Sequence, residues 1–229
     1  MRSTPSADPA EPVCLVTGAS RGIGRAVAGR LRADGWRVET AESSTGWDLS
    51  DLDVARGAVE RLDRTDAFVA CAGIIVRKSA LEHELADWQS VIGLNLTSVF
   101  VSSQAAARRM VESGGGSIVL VASQLSFFGG VNAVSYAAAK GGVAQLAKAL
   151  SNELAGLGVR VNAVAPGFIE TDMTGDMEDW KRREIDARIP LGHWGTPEDV
   201  ADVVAWLLSD DARYVTGAVV PVDGGYLVR

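Results

Sequence analysis

The sequence predicts an α/β protein: one Rossmann-like, doubly wound parallel sheet in a single domain. Three observations carry this. Short apolar runs alternate with longer helical patterns along nearly the whole chain, as repeated strand–helix units require. Most of the short runs are near-continuous in Val, Ile, Leu and Ala, the composition of strands covered by helices on both faces. A glycine-rich turn marks the first strand–helix junction.

The elements follow in order. Residues 1–11 are rich in Pro and Ser, lack an apolar stretch and are expected to form a disordered lead-in without a targeting signal. Residues 12–229 read as one domain, with no internal repeat and no linker. A first strand, Val13–Thr17, runs through Gly18-Ala19-Ser20-Arg21-Gly22-Ile23-Gly24 into a helix over Arg21–Ala33. The second strand, Arg37–Ala41, is joined by the short Glu42–Trp47 segment to Asp48 and a helix over Leu52–Leu62. Ala67–Cys71 is the third strand, and Trp88–Glu112 the helix after it. Gly114–Ala139 carries no charge, but its glycines and serines interrupt it too often for a membrane span of about 20 apolar residues. It reads instead as a buried strand (Ser117–Ala122), a functional loop and the start of a helix over Tyr136–Leu154. A strand at Val159–Val164 precedes an irregular segment, Asp172–Trp194, of the kind that forms lids. Thr196 as N-cap, Pro197 at the first position and Glu198/Asp199 in the first turn open a helix over Pro197–Leu208. Ala218–Val222 is the last strand.

Composition narrows the function. The 229 residues carry 22 basic and 29 acidic side chains, a net charge of −7, which argues against nucleic acid and anionic membranes as partners. Two cysteines, Cys14 and Cys71, make no disulfide framework, and with two histidines no metal site is expected. The expected location is the cytoplasm.

The glycine turn has a physical reading. Gly18 permits the tight turn, Gly22 lets the backbone approach a pyrophosphate, and Gly24 lets helix pack on strand. The helix N-terminus then offers free N–H groups and partial positive charge to phosphates. Farther along, Tyr136 and Lys140 are one helical turn apart on one face. Such a pair is common on helix surfaces, but this one follows an uncharged loop, precedes Ala137, Ala138 and Ala139, and has Ser123 upstream. Free Tyr and Lys titrate near ~10 and ~10.4, so neither alone serves proton transfer at neutral pH. A neighbouring ammonium favours the phenolate, so the tyrosine is expected to titrate low.

The run Thr17–Gly24 resembles the cofactor motif of the short-chain dehydrogenase/reductase family. Asn95 in LNLTSVF, Ser123 after SIVLVA, Tyr136-Ala-Ala-Ala-Lys140, Pro166-Gly167 and Val222-Asp223-Gly224-Gly225 follow in family order, and the resemblance covers residues 12–229. It implies hydride transfer between a nicotinamide cofactor and a secondary alcohol or ketone. Tyr136 would transfer the proton and Ser123 orient the reacting oxygen, while Asn95 holds a water joining Lys140 to solvent. It also implies cofactor contacts. Ser20, Arg21 and Ile23 belong to the phosphate loop, and Asp48, Ala72 and Gly73 to the adenosine side. Pro166, Gly167, Ile169 and Thr171 belong to the nicotinamide side, where Asn95, Tyr136 and Lys140 also border the cofactor.

Two features depart from the family pattern. Ala70-Cys71-Ala72-Gly73 replaces Asn-Asn-Ala-Gly, and the Glu42–Trp47 segment is too short for the helix most relatives carry there. Asp48 reads either as an adenine contact or as the cap of the helix beginning near Leu52. Glu42 falls at the acidic position that accepts ribose hydroxyls and repels a 2′-phosphate. Arg21 is the basic residue that relatives using NADP often have. NAD is the expected cofactor, with NADP the alternative.

For the substrate, Ala122–Gly130, Arg188–Gly195 and the C-terminal Gly224–Arg229 resemble the subgroup acting on oxo- and deoxy-sugar acids, such as gluconate 5-dehydrogenases and 2-dehydro-3-deoxygluconate 5-dehydrogenases. Arg77 and Lys78 are candidates for a substrate carboxylate or a solvated pair, and His193 and Trp194 either close the pocket or pack the lid. Phe168–Thr174 resembles 3-oxoacyl carrier-protein reductases, so an NADPH-dependent thioester or secondary-metabolite ketoreductase is the competing enzyme reading. The competing non-enzyme reading is a dinucleotide-sensing regulatory protein. The resemblance implies a homo-oligomer, a tetramer, and the Ala- and Val-rich helices over Trp88–Glu112 and Tyr136–Leu154 carry the apolar surface that an oligomer would cover.

Overall fold

The computed structural model describes residues 11–172 and 178–229. The lead-in up to residue 10, and with it the expectation of disorder, lies outside them. Six parallel strands form one sheet: β1 (Val13–Thr17), β2 (Arg37–Ala41), β3 (Ala67–Ala70), β4 (Gly116–Val121), β5 (Val159–Pro166) and β6 (Val219–Val222), in the order β2-β1-β3-β4-β5-β6. Their near-continuous apolar sequences are explained by burial on both faces. Leu15, Phe68, Ile118 and Leu120 point to one side of the sheet, and Cys14, Val16, Val69 and Val119 to the other. The first side is covered by α2 (Leu52–Glu60), α4 (Ser98–Ser113) and α5 (Val134–Leu154), the second by α1 (Gly22–Ala33) and α7 (Pro197–Leu208). Cys14 is fully buried, and desolvation pushes its thiol well above the ordinary range, as a structural cysteine requires.

Two expectations need correction. The helix expected over Trp88–Glu112 starts earlier and is interrupted: α3 spans Leu85–Ile92, and a π-helical turn at Gly93–Thr97 separates it from α4. Asn95, within that turn, grips another segment. Its Oδ1 accepts from Ile74 N at 2.9 Å and its Nδ2 donates to Ile74 O at 2.7 Å. This stretch, Leu85–Ser113, has the length and hydropathy of a membrane span, but half of its most apolar window is buried inside the fold. The segment Asp172–Trp194 is not wholly irregular, since Asp179–Asp186 forms α6. Ile185 and Ile189, buried with Trp194 and Tyr226, anchor that helix and its exit. Its other described positions are polar or charged and largely exposed, apart from Trp180, which hides the periodicity.

Strand order reverses between β1 and β3. Ligands of such sheets bind outside the carboxyl ends of the strands at this switch point.

Candidate active site

A cavity of about 520 Å³ lies at the switch point, between the glycine turn after β1 and the Cys71–Gly73 turn after β3. Gly18 has φ +68°, and a Cβ there would stand 2.7 Å from Ala72 Cα; one on Gly24 would stand 2.2 Å from Gly18 O. Only glycine allows the two turns and the helix to close so tightly. Without the family's asparagines, the second turn is held by Thr17, whose Oγ1 accepts from Cys71 N at 3.0 Å and Ala72 N at 3.3 Å. Gly22, Ile23 and Gly24 bring the start of α1 to the cavity wall. Arg21, the N-cap of α1, makes no capping bond, and the first turn has no acidic residue. The starts of α2 and α7 are satisfied by side chains, whereas those of α5 and α6 also lack a side-chain cap. Asp51 accepts from Asp53 N and Val54 N at α2, and Thr196 and Asp199 form a capping box at α7. An uncapped helix start facing a cavity suits a phosphate.

At the end of β2, Glu42 lines the same cavity. One carboxylate oxygen accepts from Thr40 Oγ1 at 3.3 Å, while Oε2 is shielded and has no partner among the described residues. A shielded acceptor without a donor fits a ligand hydroxyl. Arg21 and Ser20 are exposed at the rim, and Asp48 also lines the cavity. Asp48 is not the cap of α2, since that position belongs to Asp51. Instead its carboxylate accepts from Ser50 N and Oγ at 3.0 and 2.7 Å, which lowers its pKa.

Tyr136 and Lys140, on the first turns of α5, reach the cavity's other end. Lys140 is 4% exposed; its Nζ lies 5.6 Å from the Tyr136 ring centroid and donates to Val121 O at 2.6 Å. Burial lowers its pKa to about 8. The expectation of a low tyrosine pKa is not met by the protein alone. Burial pushes Tyr136 up to about 12, and a hydrogen bond with Ser123 and the charge of Arg77 only partly oppose it. Desolvation outweighs the cations, because both side chains are withdrawn from water.

Ser123 is buried at the end of β4, where its Oγ also accepts from Leu125 N at 3.1 Å. Ser126 fixes this turn onto α5 by donating to Lys140 O at 2.7 Å, a link that sequence reading missed because serine in a loop carries no signal of its partner. Asn95 stands beside the lysine head: a Cβ on Gly73 would meet Asn95 Oδ1 at 3.2 Å and Lys140 Nζ at 3.8 Å. The structure thus gathers Asn95, Ser123, Tyr136 and Lys140 in one place, although Asn95 and Ser123 do not line the cavity.

Of the adenosine-side candidates Ala72 and Gly73 line the cavity; of the nicotinamide-side ones Thr171 lines it, and Pro166, Gly167 and Ile169 do not. Thr171 faces Gly22, with Cγ2 3.4 Å from where a Cβ on Gly22 would be. Ile169 is buried in a bridge to Gly195, and Arg182 of α6 reaches Glu170 at 2.7 Å while stacking 4.5 Å from the Trp194 ring. Trp194 is therefore a packing residue, and exposed His193 bonds to its neighbour's carbonyl. Lys78 pairs with Asp87 at 2.6 Å, whereas Arg77 has no ion-pair partner among the described residues. No cluster of His, Cys, Asp and Glu suited to a metal occurs among the described residues.

A family model described as Enoyl-(Acyl carrier protein) reductase matches residues 51–227. The chain is 39% identical to 2-dehydro-3-deoxy-D-gluconate 5-dehydrogenase of Pseudoalteromonas atlantica, over 95% of this chain and 96% of that one. It is also 39% identical to (3R)-3-hydroxyacyl-CoA dehydrogenase of Mus musculus, over 93% and 95%. A crystal structure of a proposed NAD(P)-dependent gluconate 5-dehydrogenase from Beutenbergia cavernae, with NADP bound at low occupancy, superposes with a TM-score of 0.92 at 40% identity, covering 96% of this chain and 98% of that one. With that fold, that cavity and these relatives, the chain belongs to the short-chain dehydrogenase/reductase family, oxidoreductases that act on CH–OH groups with NAD or NADP.

Proposed function

We propose that this enzyme interconverts a secondary alcohol and a ketone on a small hydroxy or oxo sugar acid, with NAD as the preferred cofactor and Asn95, Ser123, Tyr136 and Lys140 as its machinery. The observation that carries the reading is one cavity bordered by the Tyr136–Lys140 pair, the glycine turn and Glu42. Bound nicotinamide supplies or accepts the hydride. The chain's own residues manage the proton. Tyr136 Oη gives it to the ketone oxygen on reduction and takes it back on oxidation. Ser123 holds that oxygen, Lys140 favours the phenolate, and Asn95 carries the water that refills the pair from solvent.

The sugar-acid assignment is supported by the names of the relatives and by Arg77, whose unpaired guanidinium acts electrostatically on Tyr136 and is available for a carboxylate. The NAD preference rests on Glu42, whose unpartnered oxygen suits ribose hydroxyls and repels a 2′-phosphate. We place the enzyme in the cytoplasm, consistent with two free thiols, and as a homotetramer. Leu85, Trp88, Phe100 and Val111 leave an apolar surface on α3 and α4 that a partner subunit would cover.

The thioester reading has its own support, since 3-oxoacyl-[acyl-carrier-protein] reductase of Thermotoga maritima is 38% identical over 94% of this chain. Steady-state assays of oxo sugar acids and an acetoacetyl thioester, each with NADH and NADPH, separate the two. The sugar-acid reading predicts the higher kcat/KM for the acids with NADH. A higher value for the thioester with NADPH overturns it.

A further inference from the structure

The turn after Ser123 carries a buried amide with nothing to bind it. Gln124–Ser126 form a 3₁₀ turn capped by Ser123. Ser126 ties that turn to Lys140 O at 2.7 Å, and Phe127 N closes it on Gln124 O at 3.0 Å. The backbone of Gln124 is thus fixed one residue from the serine assigned to the reacting oxygen. Its residue as a whole is only 5% exposed. Yet Oε1 is shielded and has no hydrogen-bond partner among the described residues, and the amide nitrogen donates to none of them. Buried amides are normally paired, because an unpaired one loses its hydration without compensation.

The surroundings do not supply the missing bond. The same loop runs on to an aromatic wall, where Phe128 stacks on Tyr226 at 6.0 Å and Tyr226 meets Phe168 edge-on at 5.3 Å. Leu125 packs against Gly130, where a Cβ would stand 2.9 Å from Leu125 Cδ1. Gln124, like Ser123, does not line the cofactor cavity, so a dinucleotide held there leaves the amide unsatisfied. The group that comes beside Ser123 during reaction is the substrate.

We propose that Gln124 is a specificity residue that binds a substrate hydroxyl near the reacting carbon. The inference deepens the sugar-acid reading of this site and rests on it. An unpaired carbonyl oxygen needs a donor, so neither a carboxylate nor a second ketone satisfies it. A hydroxyl donates to Oε1 and accepts from Nε2. An oxo sugar acid has hydroxyls flanking its ketone, whereas a 3-oxoacyl thioester has only C–H groups there. The thioester would leave the amide buried and unpaired, and a site built around such a group rejects a ligand that lacks the hydroxyl. Arg77 then serves the carboxylate of the substrate and Gln124 its hydroxyl.

Steady-state reduction of 5-oxogluconate and 5-oxohexanoate by the whole enzyme tests this. The two acids share the positions of carboxylate and ketone, and only the first has hydroxyls. Wild type is expected to prefer 5-oxogluconate. In Gln124→Leu the kcat/KM for that acid should fall by roughly 10- to 100-fold, the loss of a hydrogen bond to a substrate hydroxyl, with 5-oxohexanoate unchanged. If Gln124→Leu does not fold, Gln124→Met, unbranched like glutamine, carries the same comparison. A role in packing alone would lower both rates together, so a ratio between the acids that is equal in wild type and variant overturns the proposal. Equal or better use of 5-oxohexanoate by the wild type also overturns it. A wild type that turns over an acetoacetyl thioester but neither acid overturns the sugar-acid reading, and this inference with it.

Discussion

The two ends of the cofactor cavity are built on opposite principles. At the Tyr136 end the four candidate catalytic side chains are already engaged with the protein: Lys140 with Val121 O, Asn95 with Ile74, and Ser123 with Leu125 N and Tyr136. At the Glu42 end a carboxylate oxygen is left without a partner among the described residues, and the start of α1, like that of α5, has no side-chain cap. Preorganised groups cost no reordering during reaction, whereas open groups gain most from a ligand that satisfies them. The difference assigns chemistry to one end and affinity to the other, so substitutions at the two ends should fail in different ways.

The largest effect belongs to the engaged end. Tyr136→Phe keeps the ring and removes the proton-transfer group, so hydride-transfer turnover should fall by at least ~10²-fold. Cofactor affinity, measured by NADH fluorescence, should change little. A loss of affinity equal to the loss of rate would erase the division of labour.

Glu42→Ala should do the reverse. The NADH-to-NADPH affinity ratio should drop by roughly 10- to 100-fold, from the ~1.5–3 kcal/mol of a charge-assisted hydrogen bond. Turnover at saturating cofactor should remain near wild type. Binding titrations of both cofactors check this, and an unchanged ratio would show that Glu42 does not contact the ribose.

Sequence and structure agree where a local pattern has a local cause. The strands stand where continuous apolar runs put them, because two covered faces leave no room for polar alternation. Tyr136 and Lys140 meet because helical spacing dictates it. The misses are long-range. The π turn at Asn95 is tied to Ile74, 21 residues away, and Thr17 holds a turn 54 residues downstream. Helix α6 buries too little of its own surface to show a period, and its Arg182 is tied to Glu170 and Trp194 instead. The rise of the Tyr136 pKa comes from burial, which exists only once the chain has closed around it.

That last point exposes the central claim to a direct measurement. In the protein alone Tyr136 is held near 12 and Lys140 near 8, so at neutral pH the phenol keeps its proton. In the proposed mechanism Tyr136 becomes a working base only beside the positive charges of Lys140 and the oxidised cofactor. The phenolate is the base, so kcat for alcohol oxidation at saturating oxidised cofactor should rise with pH and level off. Its midpoint should lie below the ordinary tyrosine value of ~10, and in Lys140→Met it should move upward. A kcat independent of pH across this range, or a midpoint unmoved by Lys140→Met, would contradict the account.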